Sequence, residues 1–444
     1  MKSKYSMAAA SIALVALAGV SAGVLVAQQG NGGNRAAMLA TIDSLVNAPI
    51  KAGTLAGASI AVVRGKDTLV LRGYGMADLE LDVPTPPNAS YEIGSVTKQF
   101  TAVAVMQLVE QGKIRLDDDI TKYLPDYNTQ GHTIPIRRLL DHTSGIKGYT
   151  EIPEFRSISV SSAPRDSLVG IFAAKPFDFA PGEQETYNNS AYFLAGLLIE
   201  KVSGMSYEDY VQKNLFDKAG MSRSYYCSES TIRKNHAHGY DMGPKGLGLK
   251  GFINHTWPYA AGSLCSTAGD LVAWNQALHK SDRIINRETY KELVAPATLN
   301  DGTKIRYAKG FALVDVGGRP AISHGGDING FASFAAYLPA EDLTVVALFN
   351  SQGPARPDAI TARIVEAVLG KAPDRSQRFT GDLAQFEGSY TGRGRGRDMT
   401  VTVAVDNGVL RLKRTPSDSG QALEFRGADT FAAGGALVTF EKVG

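Results

Sequence analysis

Apolar and polar positions alternate in two runs near the start of the chain, GASIAVVR and TLVLRGYG, within residues 57–75. A period of two marks half-buried strands, and Gly65-Lys66-Asp67 between the runs reads as a turn, so a β-hairpin is predicted. From Thr97 to Gln111 the period becomes helical. Phe100, Val103, Ala104, Met106, Leu108 and Val109 cover most of the circumference, and Gly112 stands at the stop position. A helix apolar on nearly every side belongs in the interior. Helical patterns recur at 191–204 and 267–278, the second opening on Thr267 three residues before Asp270, a capping-box spacing. Strand periodicity returns between residues 310 and 350 in RPAISH, GFASFAAYLP and DLTVVALFN, with a turn at Pro339–Asp342, and a helix is predicted at 356–370. Strands at both ends of a unit with helices between them predict an α+β fold, one antiparallel sheet assembled around a helical insertion.

After the polar stretch 371–380, residues 381–444 read entirely as short strands separated by turns such as Asp406-Asn407-Gly408, a small separate β-domain. At the other end, Lys2 and Lys4 precede an uncharged run from Met7 to Ala27 with small residues at Ala22 and Ala27. That arrangement is a secretory signal (1–27) or, uncleaved, an anchor; both put the rest of the chain in the periplasm or outside the cell. The Gly-rich polar residues that follow predict a linker over 28–39, leaving 40–370 as the main domain. Composition narrows the partners. The 46 Lys+Arg against 44 Asp+Glu give a formal charge of +2, which excludes the basic excess of a nucleic-acid binder. No later segment is long and apolar enough to cross a membrane. Export also bears on the two cysteines, Cys227 and Cys265, which an oxidising compartment favours as one disulfide; the alternative is two buried thiols.

Neither G-x-S-x-G nor H-E-x-x-H occurs, so the search for a hydrolytic site turns to serines beside other bases. Ser95-Val-Thr-Lys98 opens the buried helix, where a spacing of three brings an ammonium beside a hydroxyl. S-x-x-K alone is weak, and a second copy, Ser144 to Lys147, lies in a turn. Tyr187-Asn188-Asn189, in a loop before the 191–204 helix, offers a phenol that can relay a proton and an amide that can orient a lysine; as a plain helix entry, Asn189 or Ser190 would be its cap. His324-Gly325-Gly326 ends the strand RPAIS, where glycines let a substrate lie along the strand edge. The next backbone N–H, of Asp327, is a candidate oxyanion donor beside that of Ser95.

Together these motifs resemble the serine β-lactamase and penicillin-binding-protein superfamily, in its class C-like branch with D-aminopeptidases, DD-carboxypeptidases and family VIII esterases. The resemblance runs through YEIGSVTKQFTA, LLDHTSGI, PGEQETYNNSAYFLAGLLIEKVSG, AAGSLCSTAGDLVAWNQAL and HGGDINGFASF. It implies a β-lactamase/transpeptidase-like fold for 40–370, and the C-terminal strands resemble the lipocalin-like domain often appended to such hydrolases. It implies Ser95 as the acylated nucleophile, Lys98 and Tyr187 as the proton-transfer pair with either as base, Asn189, His324, Gly325 and Gly326 as substrate-binding, and no metal or organic cofactor. His324 departs from the Lys-Thr-Gly of β-lactam specialists. A largely neutral imidazole recognises a carboxylate poorly, so small esters, then amides or peptides, then β-lactams are the expected substrates. A non-catalytic penicillin-binding sensor on the same fold is the competing class.

Other signals weigh less. Gly246 to Gly251 spells G-x-G-x-x-G with no helix following, Asp117 to Asp119 reads as a helix cap, and His236, His238 and His255 as scattered surface residues. The GRGRGR run at 392–397 is expected in a hairpin loop.

Overall fold

The computed structural model describes residues 34–373, 377–394, 397–415, 418–427, 429–433 and 436–440; the run 1–27, read as a signal or anchor, therefore lies outside the described residues. Seven strands form the main sheet: β1 (Gly57–Arg64), β2 (Asp67–Asp78), β3 (Val83–Pro84), β4 (Ala312–Val316), β5 (Arg319–Ile328), β6 (Phe331–Leu338) and β7 (Leu343–Phe349). Their order is β3-β2-β1-β7-β6-β5-β4, so the early and late parts of the main domain meet where β1 pairs antiparallel with β7, Ala61 opposite Val346. The hairpin at 57–75 and the strands after 319 stand where their periodicity places them. The edge strand β4 has no counterpart in the sequence reading, because its half-buried residues carry a weak alternation.

β1, β6 and β7 are buried along almost their whole length, since both faces of the sheet are covered. On one face, Ile60, Val62 and Val345 pack with Ile42 and Val46 of helix α1 (34–51) and with Ile364 of a C-terminal helix. α1 corrects the sequence reading: its first turns occupy part of the stretch 28–39 taken as a linker. Met38, Ile42 and Val46 recur every four residues, and that stripe outweighs the polar composition of the entry. On the other face, Ala61, Ala335 and Val346 join the core of the helical insertion.

At the centre of that insertion is α2 (Thr97–Glu110), whose residues are buried from Thr97 to Leu108. Phe100 stacks on Trp274 with ring centroids 4.2 Å apart, and meets Phe216 edge-on at 5.4 Å. Against α2 pack α3 (Asn189–Ser203), which ends on a left-handed Gly204, and α4 (Ala268–Lys280). Thr267 caps α4 by accepting the Asp270 N–H at 3.1 Å. Asp270 uses its own carboxylate elsewhere, accepting from Arg223 N and Ser224 Oγ, so only half of the expected capping box forms. The C-terminal helix α5 (Pro357–Leu369) starts on a proline, which needs no hydrogen-bond partner in the first turn.

A small second sheet holds the approach to α2. Leu264–Thr267 lies between Ser90–Glu92 and Tyr225–Tyr226, and the disulfide Cys227–Cys265 ties its two later members together. The cysteines are paired, as an oxidising compartment favours. Past α5, two antiparallel sheets, one including β8 (Gly388–Gly394), β9 (Arg397–Asp406) and β10 (Val409–Lys413) and one of Glu424–Gly427, Thr430–Ala433 and Ala436–Thr439, share a core of Phe386, Val403, Leu410, Leu423 and Phe431. Thr430–Ala433 is a strand that the sequence reading did not separate.

The disulfide closes a loop of sequence separation 38. Chain entropy assigns such a crosslink about 3–4 kcal/mol, so Cys227→Ser/Cys265→Ser is expected to lower unfolding stability by about that amount in urea denaturation. An unchanged midpoint would contradict the crosslink's structural role.

Candidate active site

Ser95 lies in the 3₁₀ turn Gly94–Val96 that leads directly into α2, and Lys98 follows one turn later. Lys98 is 0% exposed. Its Nζ donates to Ser95 Oγ at 3.0 Å, to Asn189 Oδ1 at 2.8 Å and to the Ala261 carbonyl at 2.8 Å. Two of these three acceptors are carbonyl oxygens and cannot give a proton back. They fix two N–H directions and leave the third on the line to Ser95, along which a proton can sit on either atom. The faces of Tyr187 and Tyr192 flank the ammonium, with Nζ 4.8 and 5.4 Å from the ring centroids.

Asn189 is free for this because the cap of α3 falls one residue earlier than the sequence suggests. Asn188, not Asn189 or Ser190, accepts the Ala191 N–H at 2.9 Å. The Asn189 amide Nδ2 donates to Thr150 Oγ1 at 3.2 Å, which fixes which end of the amide faces Lys98. The second S-x-x-K copy is a turn, as read: Ser144 Oγ accepts from Ile146 N, and Lys147 pairs with Glu151 and Asp178.

β5 brings the third motif against the nucleophile. At Gly94 a Cβ would meet Asp327 N at 3.0 Å, and at Gly326 it would lie 2.1 Å from Ile93 O and 3.0 Å from Ser95 N. The two segments approach backbone to backbone, and both Ser95 and Asp327 line the cavities beside them. The Asp327 carboxylate turns outward into a two-pronged pair with Arg356, at 2.7 and 3.0 Å. Ser333 Oγ donates to Ile93 O at 2.7 Å and locks the turn from below.

His324 is buried, and both of its ring nitrogens are engaged. Nδ1 meets the Gly325 carbonyl, and Nε2 the Tyr307 hydroxyl at 2.9 Å. Burial, with the Lys98 charge nearby, pushes its pKa down to about 3, so it is a neutral ring. The sequence reading expected His324 to hold substrate; it lines the larger cavity at Ser95, with Nε2 engaged by Tyr307 and Nδ1 by the Gly325 carbonyl. Tyr307 and His142 are the residues that sequence reasoning missed. His142 packs on Tyr187, Tyr307 and Tyr192 with centroids 4.2, 4.6 and 5.2 Å apart, and its Nδ1 accepts from Asn188 N at 3.1 Å. Its backbone is left-handed, with φ of 63°, and a lone histidine in a turn does not announce that from sequence.

Two cavities share Ser95, Asn189 and Asp327. One, of about 140 Å³, is lined by Tyr149, Phe155, Ile253 and Pro258; the other, of about 400 Å³, by Tyr187, Tyr307, Ala312 and His324. The larger of the two is the one faced by Tyr187. Of His236, His238 and His255 only His238 stays exposed as read, because the chain from 225 to 255 folds the other two back toward Glu92. His255 Nε2 lies 3.6 Å from Glu92 Oε2, and burial pushes His236 down to about 4. Gly246–Leu249 is a strand with no helix after it, and Asp119 caps the short helix Ile120–Lys122, as expected. Residues 395–396 of the GRGRGR run lie outside the described residues.

With this geometry in view, the comparisons place the chain. The Beta-lactamase family profile matches residues 42–369, and the chain belongs to that family. It is a serine hydrolase with the α+β fold of that superfamily. A D-aminopeptidase of Gluconobacter oxydans is 26% identical over 388 residues, covering 87% of this chain and 72% of the relative. An octameric penicillin-binding protein homologue from Pyrococcus abyssi superposes with a TM-score of 0.65 at 26% identity, covering 88% of this chain and 92% of that one. A D-amino acid amidase from Ochrobactrum anthropi SV3, solved with L-phenylalanine amide, gives 0.64 at 25% identity over 74% of this chain and 98% of its own.

Two outcomes follow from the site's packing. Gly326→Ala forces the strand off the turn and is expected to cut kcat/KM by about 100-fold or more, the scale of one lost oxyanion donor, with an unchanged circular dichroism spectrum; full activity would show that the contact does not position the amides. For His324, the folded pKa of about 3 lies below the ordinary 6.5, so the unfolded chain binds the proton first. Its contribution to stability is whole above pH 6.5 and drains away as pH falls toward 3. The stability difference between wild type and His324→Gln is therefore expected to shrink by roughly 1–2 kcal/mol from pH 7 to pH 5 in urea titrations, and a pH-independent difference would contradict the buried neutral ring.

Proposed function

We propose that the protein is an exported hydrolase that cleaves carboxylic esters or amides through an acyl-enzyme on Ser95. The observation that carries this reading is the line from Ser95 Oγ to a fully buried Lys98 Nζ whose other directions are held by Asn189 and Ala261. The substrate carbonyl oxygen sits between the N–H groups of Ser95 and Asp327, which stabilise the charge that develops there. As the neutral amine, with two N–H groups held by Asn189 and Ala261, Lys98 turns its lone pair to Ser95 Oγ and takes the hydroxyl proton as Ser95 attacks, becoming the ammonium. The leaving group departs toward the cavity faced by Tyr187 and receives its proton through the Lys98/Tyr187 pair; water then releases the acid by the reverse path. No step calls on a group outside the chain. Export is supported by the uncharged run Met7–Ala27 and by the disulfide.

Among substrates, the relatives, a D-aminopeptidase and a D-amino acid amidase, favour amides and peptides of D-amino acids, while the hydroxyls and amide that line the larger cavity admit esters equally. β-Lactams rank last, because His324 is neutral and its nitrogens are occupied, so a substrate carboxylate finds no second cation beside Lys98. The test is a rate comparison of a chromogenic short-chain ester, a D-alanyl peptide or amide and a chromogenic cephalosporin. Ester or amide turnover exceeding that of the cephalosporin is expected, with Ser95→Ala and Lys98→Ala each reducing kcat/KM by about 1,000-fold or more. Full activity in Ser95→Ala would overturn the site. Stoichiometric acylation of Ser95 with no turnover of any substrate would favour the sensor instead.

A further inference from the structure

A second chemical feature lies away from the cleft, where the end of β2 meets the segment 236–240. Asp78 is the last residue of β2, Glu80 stands in the turn beyond it, and His238 reaches across. His238 Nδ1 lies 3.5 Å from Asp78 Oδ2 and 3.4 Å from Glu80 Oε2, and the three atoms are mutually within 4.8 Å. Among the described residues this is the one such group of three. None of the three lines either cavity at Ser95.

The separations are informative. They are long for hydrogen bonding, the usual N–H···O distance being about 2.9–3.0 Å, and only the His238 Nδ1–Glu80 Oε2 contact is a hydrogen bond, a weak one. They match the edge of about 3.4 Å between two ligands that each sit about 2.1 Å from a tetrahedral ion. The two carboxylates are also oriented by outer partners, as metal ligands commonly are. Asp78 Oδ1 is taken by the N–H groups of Glu80 and Leu81, at 2.9 and 3.0 Å, which turns Oδ2 toward the imidazole. The Tyr240 hydroxyl donates to Glu80 Oε2 at 2.9 Å and accepts from Leu79 N at 2.7 Å. The histidine backbone is held in turn: His238 N donates to Ala77 O at 2.8 Å, and Asn350 Nδ2 donates to His238 O at 2.9 Å. Asp78 is buried while Glu80 and His238 are half open to solvent, which leaves an entry path and room for water as a further ligand.

We propose that Asp78, Glu80 and His238 bind one divalent transition-metal ion of the zinc class. Two carboxylate oxygens cancel the charge of a divalent ion, and the imidazole selects zinc-like ions over magnesium or calcium, which prefer oxygen alone. The ion pins the segment 236–240 to the end of β2, a structural clasp independent of the Ser95 chemistry.

The test is isothermal titration calorimetry of the untagged, metal-stripped full chain with zinc chloride at pH 7.5, with magnesium and calcium chlorides as parallel arms. One saturating equivalent of zinc is expected. Affinity falls at least about tenfold in His238→Ala and in Glu80→Gln. Zinc is also expected to raise the thermal midpoint of wild type and not of His238→Ala, while hydrolysis rates stay within twofold with zinc or chelator. Absence of saturable binding, equal affinity in the variants, or magnesium binding as tight as zinc would overturn the proposal. So would binding that survives in His238→Ala and is lost in His255→Ala, because that would place the ion at the Glu92–His255 pair. Hydrolytic activity is read separately, so failure here and failure of the Ser95 mechanism are distinguishable.

Discussion

A lysine ammonium with no exposure to solvent is the constraint on which the catalytic half of this molecule depends. Removing such a charge from water costs several kcal/mol unless hydrogen bonds replace the lost hydration. Here Ser95 Oγ, Asn189 Oδ1 and Ala261 O replace it, and they come from three separate parts of the chain. Lys98 therefore cannot be satisfied until α2, the start of α3 and the segment 259–262 are packed together. Thr101, one turn further along α2, ties the same segment by donating to Ala260 O at 2.6 Å. Folding of the insertion and assembly of the nucleophile are one event.

The sheet contributes the other half. Where β1 and β7 meet, the two ends of the domain become one platform, and β5 is carried against the turn that holds Ser95. Glycines at 94 and 326 let the two backbones approach to a distance that no side chain permits. An acyl-transfer site needs its oxyanion donors rigid and its proton path short. In the mechanism we propose, the backbone contact supplies the first requirement and the Lys98 cluster the second. Burial keeps His324 neutral and directs it to Tyr307, so the cleft carries its positive charge at one place.

Much of this was legible from residues alone. The all-round apolar helix at 97–111, the alternation of the hairpin and the late strands follow from burial, which leaves a periodic record in sequence. Ser95, Lys98, Tyr187 and Asn189 were legible as motifs because each chemical role needs one residue type at a set spacing. The unread parts have physical reasons. The Ala261 acceptor is a backbone carbonyl and has no residue signature. Tyr307 and His142 come from loops with no period and enter the site only through tertiary packing. The choice of Asn188 over Asn189 as cap turns on which amide Lys98 recruits, a long-range contact that local propensity does not contain. α1 was obscured by its polar entry, although its apolar stripe was present in the sequence.

The proposed chemistry requires Ser95 to be the hydroxyl activated by Lys98, and peptide mass spectrometry after fluorophosphonate labelling addresses that most directly. A single adduct on Ser95 is expected in the wild type and none in a folded Lys98→Met variant. An adduct on another serine such as Ser144, or labelling of Ser95 at an undiminished rate without Lys98, would contradict it.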